Sequence, residues 1–292
     1  MMSCWCEAIL RRRHEMSPLP TGVTSRLSPM PEVRAVIFDV YGTLLISGTG
    51  DVGAADEKDR GGHIVPALRA AGIDCGRAAP PTIDQLHDQI HRTNRARESA
   101  ECPKPEVDIV EVWRATLLAC GIDGFSTEQC HRLAAEYEAR VNPTWPMPGA
   151  QRVLSELHGS DRPLGIVSNA QGFTLPLVQE LAGRFGVDSV FDPNLCVFSN
   201  RYRQAKPGPR LFDVLCDGLR RAGISPHQAI YVGNDRLNDV WAASQAGLRT
   251  AWFVGDRRSM RDRQDDPRMQ GLSEDLVLTD LRELLDCLPE SC

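Results

Sequence analysis

An α/β fold, in which a doubly wound parallel sheet is interrupted by an inserted helical bundle, is predicted by three observations. Apolar runs end abruptly in polar residues at Val36-Ile37-Phe38-Asp39, Leu164-Gly165-Ile166-Val167-Ser168 and Ala229-Ile230-Tyr231-Val232-Gly233. They are continuous rather than alternating, as in strands buried on both faces of a parallel sheet. In chain order they present strand–Asp, strand–Ser, a lysine (Lys206), then strand–Asp/Asp, and parallel strands bring such ends to one edge. Finally, Asp39 and Ser168 are separated by far more chain than one right-handed crossover needs, so something is inserted between them.

Each element follows from local pattern. The first strand breaks at Gly42, which leaves Asp39 at its carboxyl end, as a nucleophile, a metal ligand, both, or simply a strand terminator. Ser47 to Gly53 is a small, flexible linker into the insertion. His63 to Ala71 reads as a short helix. Thr82 caps a helix with Ile83, Leu86 and Ile90 on one stripe. Val107, Val110, Trp113, Leu117 and Leu118 mark a third. Ser126 and Gln129 have capping-box spacing and open a fourth, continued by Leu133, Tyr137 and Val141. Four helices between about Asp56 and Asn142 suggest a small bundle.

The chain returns through Pro146-Met147-Pro148-Gly149, a natural hinge, and a helix with Val153, Leu154 and Leu157 leads into the second strand. Lys206-Pro207 follows an irregular polar stretch, Ser199 to Ala205, and precedes a helix with Leu211, Phe212, Leu215 and Leu219. The third run ends in a Gly turn and an acidic cluster, Asn234 to Asp239. Thr250 to Val254 is a strand, and Gly255 to Arg268 a charged loop whose near-balanced charges suggest a solvated surface. Leu276 to Leu278 and Leu281 to Leu288 close the chain as strand and helix. The expected organisation is a disordered tail over 1–30, a core of 31–47 and 146–292, and a helical cap over 48–145. Two flexible connections make the cap a lid that excludes water from the sheet edge.

Composition narrows the function classes. A chain of 292 residues suits one large or two modest domains. A net charge of −6 gives no reason to expect a nucleic-acid partner. No apolar run approaches the ~20 residues of a membrane helix, so no membrane partner is expected. The ten cysteines are scattered without a C-x-x-C unit, which argues for free thiols in a reducing cytoplasm rather than for zinc. The segment before Met30 holds Arg11-Arg12-Arg13, prolines and serines with little periodicity. It reads as a tail. A targeting peptide is the alternative, without the apolar core of a secretory signal. Met30-Pro31-Glu32-Val33 would also suit a later start.

Together, Asp39-Val40-Tyr41-Gly42-Thr43, Ser168, Lys206 and Gly233-Asn234-Asp235 through Asp239 resemble the four motifs of the haloacid dehalogenase-like superfamily, in order, over roughly Val33 to Leu285. The resemblance implies a Rossmann-like core with a helical cap inserted after the first strand. It implies a hydrolase in which Asp39 is the nucleophile and forms a covalent aspartyl intermediate. Asp39, Tyr41, Thr43, Ser168 and Lys206 form the implied catalytic set, and Thr43, Ser168, Asn169 and Lys206 hold the substrate. Mg²⁺ is the implied cofactor, bound by Asp39, the Tyr41 backbone carbonyl and one of Asn234, Asp235 and Asp239. The family's usual first acid in the last motif falls on Asn234.

Tyr41 departs from the phosphatases of the family, which carry there a second aspartate as general acid. A phenol, with a pKa near 10, is a poor base at neutral pH. Asp-x-Tyr-Gly-Thr resembles the 2-haloacid dehalogenases, which need neither that acid nor a metal. The favoured expectation is a Mg²⁺-dependent phosphatase acting on a small phosphorylated metabolite. The alternatives are a metal-free 2-haloacid dehalogenase, with Arg92, Arg95 or Arg97 to meet the substrate carboxylate, and a catalytically weak binding module. The expected partner is a small-molecule substrate; oligomeric state is not assigned.

Overall fold

The computed structural model of the chain describes residues 4–49, 61–160, 162–182 and 190–288. Its strands are β1 (Ala35–Phe38), β2 (Leu45–Ser47), β3 (Thr144–Pro146), β4 (Leu164–Ser168), β5 (Cys196–Phe198), β6 (Ala229–Gly233), β7 (Arg249–Phe253) and β8 (Leu276–Leu278). Its principal helices are α1 (Cys4–Leu10), α2 (Ile64–Ala71), α3 (Ile83–Arg95), α4 (Ile109–Ala119), α5 (Thr127–Val141), α6 (Ala150–His158), α7 (Thr174–Ala182) and α8 (Arg210–Arg221).

Six strands form one parallel sheet in the order β5-β4-β1-β6-β7-β8. The chain winds outward from β1 through β4 and β5, then returns to the other side of β1 for β6, β7 and β8. That reversal is the switch point at which open α/β sheets bind ligands. Successive side chains alternate faces. Val36 and Phe38 join one core with Leu154, Leu177 and Leu278, while Ala35 and Ile37 join the other with Leu211, Phe212 and Leu215 of α8. Burial on both faces explains the continuous apolar runs. The result is the predicted Rossmann-like α/β sheet flanked by helices.

Helices α2 to α5 lie between β2 and β3 and pack around a hydrophobic cluster of their own, with Trp113 edge-on to Tyr137 at 5.1 Å between ring centroids. Thr82 with Gln85, and Ser126 with Gln129, form reciprocal capping boxes. The connections at the base of the insertion are more ordered than flexible linkers. β2 and β3 pair antiparallel, Ile46 opposite Trp145, and the Ser47 hydroxyl donates to Asn142 Oδ1 at 2.8 Å. The expected flexible stretch Gly50 to Gly53 lies outside the described residues.

The N-terminal segment also differs from the disordered tail expected over residues 1–30. Helix α1 packs on α5, with Ala8 and Ile9 buried. Arg11, Arg12 and Arg140 converge on Glu136, whose side chain is 1% exposed, and Arg13 pairs with Glu180. Further on, Leu19 N–H donates to Asp256 Oδ1 at 3.1 Å, Arg26 and Val277 exchange backbone hydrogen bonds at 2.9 Å, and Met30 N–H donates to Cys287 O at 2.7 Å. The arginines of this segment have carboxylate partners far away in the chain, and its apolar residues are too few to show a period. Among the described residues, no helix is long and apolar enough to cross a membrane.

Candidate active site

Register places the predicted residues at one edge. Phe38 pairs with Ile166 of β4 and Val232 of β6. Asp39 leaves β1 one residue later, and Ser168 and Asn234 lie two residues past those partners. Asp39 N–H donates to Val232 O at 2.9 Å, and the following turn closes with Leu45 N–H on Val40 O at 2.9 Å. Gly42 takes φ +83°, and a Cβ there would stand 2.5 Å from Ser259 Cβ, so the turn demands glycine. Gly233 is equally constrained: a Cβ would lie 2.4 Å from the Asp239 carboxyl carbon.

Lys206 is the hub. Its side chain is 2% exposed, and Nζ donates to Asp39 Oδ1 (2.8 Å), Asp239 Oδ1 (2.6 Å), Tyr231 Oη (2.8 Å) and, more weakly, Val167 O (3.2 Å). Three N–H bonds thus serve four acceptors. Burial alone would lower the lysine pKa, but Asp239 and Asp39 outweigh it and raise it, so the ammonium persists. Asp239 is pushed up to about 7, first by burial and then by Asp39, against the pull of Lys206. The two directions favour opposite charge states of one contact. We hold to a charged Lys206, because one ammonium shared by two buried carboxylates leaves the second carboxylate undercompensated. The opposite oxygen, Asp39 Oδ2, accepts no hydrogen bond among the described residues.

Around this hub the other predicted residues take different roles. Asn169 Oδ1 accepts from the Lys206 backbone N–H at 2.8 Å and so holds the lysine loop. Ser168 is fully buried, and among the described residues its hydroxyl makes only a long bond, 3.4 Å, to Asn169 O. The Thr43 hydroxyl donates to Asn234 Oδ1 at 3.2 Å, so it braces Asn234. Tyr41 is buried, with its hydroxyl 2.9 Å from Thr174 Oγ1. Its pKa is raised, chiefly by burial and then by Glu138, which keeps the phenol protonated and removes it as a base. Arg92, Arg95 and Arg97 are exposed on and just after α3.

Two acidic candidates for metal are already engaged by neighbouring donors. Asp235 caps the π-helical turn Arg236–Trp241 through Leu237 N and Asn238 N on Oδ1, and Arg263 donates to its Oδ2 at 2.5 Å. Both oxygens are occupied. Asp239 is occupied too, Oδ1 by Lys206 and Tyr231 and Oδ2 by Asp235 N–H at 2.9 Å. The charged loop after β7 is also no mere solvated surface. Ser259 and Asp256 are buried, Ser259 O accepts from Asn234 Nδ2 at 2.6 Å, and Arg261 N–H donates to Asn234 O at 3.1 Å. Sequence reasoning missed Tyr231, Thr174, Ser259 and Arg263. Tyr231 carried a signal, a hydroxyl inside an otherwise apolar strand; the others carried none.

For magnesium, the oxygen donors at the edge are the Asp39 carboxylate, the Tyr41 carbonyl and Asn234 Oδ1, the last of which also accepts from the Thr43 hydroxyl. Among the described residues, no group of three or more acidic, His or Cys side chains gathers to hold a metal. One carboxylate and two neutral oxygens suit Mg²⁺ where substrate phosphate oxygens and water complete the octahedron.

The chain resembles known proteins over most of its length. The haloacid dehalogenase-like hydrolase family matches residues 33–247. The glyceraldehyde 3-phosphate phosphatase of Methanopyrus kandleri is 26% identical over 259 residues, covering 88% of this chain and 98% of that protein. The phosphoglycolate phosphatase of Escherichia coli is 25% identical over 228 residues, 76% of this chain and 81% of its own length. Among solved structures, a 2-haloacid dehalogenase from Pseudomonas syringae pv. Tomato superposes with a TM-score of 0.55 at 20% identity, over 87% of this chain and 97% of that one, a likeness of fold.

Proposed function

The chain belongs to the haloacid dehalogenase-like hydrolase family, and on that premise we propose that it is a phosphatase acting through Asp39 on a small phosphorylated metabolite. One observation carries this reading: Asp39 has one oxygen fixed by the buried Lys206, while the other accepts no hydrogen bond among the described residues. In-line attack of Oδ2 on phosphorus forms an aspartyl phosphate and expels the alcohol oxygen with its electron pair. Water then attacks phosphorus, releasing phosphate and restoring the carboxylate. Lys206 offsets the charge of the transferring group from a dry position, where an ammonium counts for more than in water. The backbone N–H groups of Val40 and Tyr41 and the loosely bonded Ser168 hydroxyl would meet the remaining phosphoryl oxygens, since the N–H groups of Asp39, Gly42 and Thr43 are spent on the Val232, Leu45 and Val40 carbonyls. Phosphatase relatives that align over most of their length support the same chemistry.

Asp39, the Tyr41 carbonyl and Asn234 would hold Mg²⁺, which when bound offsets phosphoryl charge as a Lewis acid. With the Tyr41 hydroxyl engaged by Thr174 and its pKa raised by burial, so that it gives up a proton poorly, a substrate whose leaving group departs without a proton from the protein suits the site best. An aryl phosphate is therefore the test compound. Phosphate release that EDTA abolishes and Asp39→Asn eliminates is the expected result; turnover surviving Asp39→Asn overturns the nucleophile.

Metal-free dehalogenation is the second reading. It draws on Tyr41 and on an amide, Asn234, where the family's metal-binding acid falls. Chloride release from 2-chloropropionate that ignores EDTA would favour it.

A further inference from the structure

Resting on that hydrolase reading, we propose that residues 101–109 of the insertion form a latch on the two loops that carry Asn169 and Lys206, with Gln171 and Glu106 as its positioning residues. The latch grips the first loop through Gln171. Its side-chain amide accepts from Ile109 N–H at 3.0 Å, at the start of α4, and donates to Val107 O at 3.0 Å. Its own N–H donates to Thr174 Oγ1 at 3.2 Å, the hydroxyl that also meets Tyr41. Glu106 makes the second grip. Its Oε2 accepts from the Ser199 hydroxyl at 3.0 Å, and that hydroxyl oxygen accepts from Ala170 N–H at 2.9 Å.

The lysine loop is held from the same segment. Glu106 N–H donates to Arg203 O at 3.0 Å, Ala205 N–H to Lys104 O at 2.7 Å, and Gln204 Nε2 to Glu101 O at 2.9 Å, with Pro105 and Gln204 bridged antiparallel. The next residue is Lys206, whose N–H closes the circuit on Asn169 Oδ1 at 2.8 Å. Insertion, Asn169 loop and Lys206 loop thus share one continuous set of hydrogen bonds.

The physical consequence is coupling. An ammonium that must stay within hydrogen-bond reach of Asp39 depends on where its backbone sits, and a displacement of about 1 Å costs roughly a hundredfold in rate. Releasing the latch frees the residue before Lys206 and the side chain beside Asn169 together. Burial raises the Glu106 pKa, with Ser199 pulling the other way, in keeping with a carboxyl enclosed at this seam.

The test uses the full chain as wild type, Gln171→Ala, Glu106→Ala and Glu106→Gln, the last keeping an oxygen for Ser199. Backbone hydrogen exchange is read at Ile109, Ala205 and Lys206, and kcat and KM with an aryl phosphate. The latch predicts that Gln171→Ala speeds exchange at Ala205 and Lys206, which it does not touch directly, as well as at Ile109. It predicts that Gln171→Ala and Glu106→Ala lower kcat about tenfold or more, with KM little changed, and that Glu106→Gln restores most of it. Faster exchange confined to Ile109 in Gln171→Ala, or wild-type kcat in both alanine variants, overturns the proposal. A wild type inactive on the phosphate counts against the phosphatase reading instead, and the exchange result still decides the latch.

Discussion

Lys206 Nζ lies 2.8 Å from Asp39 Oδ1, with the lysine side chain only 2% exposed. The candidate nucleophile therefore has a fixed counter-charge before substrate arrives. The same ammonium is 2.6 Å from Asp239, so removing it strands two carboxylates in a dry site.

Lys206→Met should cost about 3–5 kcal/mol of stability, the usual penalty for breaking a buried ion pair from one side. Its sign with pH is fixed. Without the ammonium the Asp239 carboxyl, already raised by burial, rises further above its unfolded value, so the folded state is favoured when it is protonated and loses stability as it ionises. Urea unfolding should show a smaller penalty at pH 5 than at pH 8. An equal penalty at both would mean that Asp239 does not sense the lysine.

Asp239 makes a second pH prediction. Its pKa is pushed up to about 7 from 3.8, first by burial. A raised acid adds stability that is complete below its unfolded pKa and is lost as pH rises through the folded one. The Asp239 contribution should therefore decline between about pH 4 and pH 7 and be level above. Asp239→Asn should remove that component from the pH dependence of Tm. Activity, which needs a charged partner for Lys206, should rise across the upper part of the same window, with an apparent pKa belonging to the carboxylate–lysine set.

Asn234 braces Thr43 through Oδ1 and Ser259 through Nδ2. Asn234→Asp installs a second carboxylate beside Asp39 but points an oxygen at the Ser259 carbonyl. The variant should lose about 1–3 kcal/mol without metal, recover part of it with Mg²⁺, and reach half-maximal activity at a lower Mg²⁺ concentration. Thermal unfolding and Mg²⁺ titration of activity check this. An unchanged Mg²⁺ response would remove Asn234 from the metal site.

Tyr41→Phe deletes the 2.9 Å contact with Thr174 and nothing else at the site. Because burial raises the phenol pKa and Thr174 engages its hydroxyl, so that it gives up a proton poorly, kcat should stay within severalfold of wild type, while stability falls by about 1 kcal/mol. A loss of about a hundredfold or more, the scale of a missing general acid, would return Tyr41 to the reaction.

The strand ends were legible because a parallel strand buried on both faces writes its burial directly into the chain: Val36 to Phe38 and Leu164 to Val167 face two cores. The capping boxes at Thr82 and Ser126 were legible for a similar reason, since both partners lie within one turn. The order at Arg11 to Arg13 was not, because Glu136 and Glu180 lie on helices that come next to α1 only in the fold. The loop after β7 misled for the same reason: Arg263 and Ser259 spend their polar groups on Asp235 and Asn234 rather than on water.

Sequence by itself determined the α/β class, the position of the insertion, and the delivery of Asp39, Ser168, Lys206 and the 233–239 turn, because period and order are properties of the chain read locally. Only the tertiary structure decided which groups around Asp39 are engaged. It bonded Asp239 to Lys206, turned Asp235 to Arg263, left Asn234 between Thr43 and Ser259, and tied the insertion to the loops around Asn169 and Lys206. The reason is that a buried carboxylate or amide takes its role from whichever donors surround it, and those donors come from segments far apart along the chain.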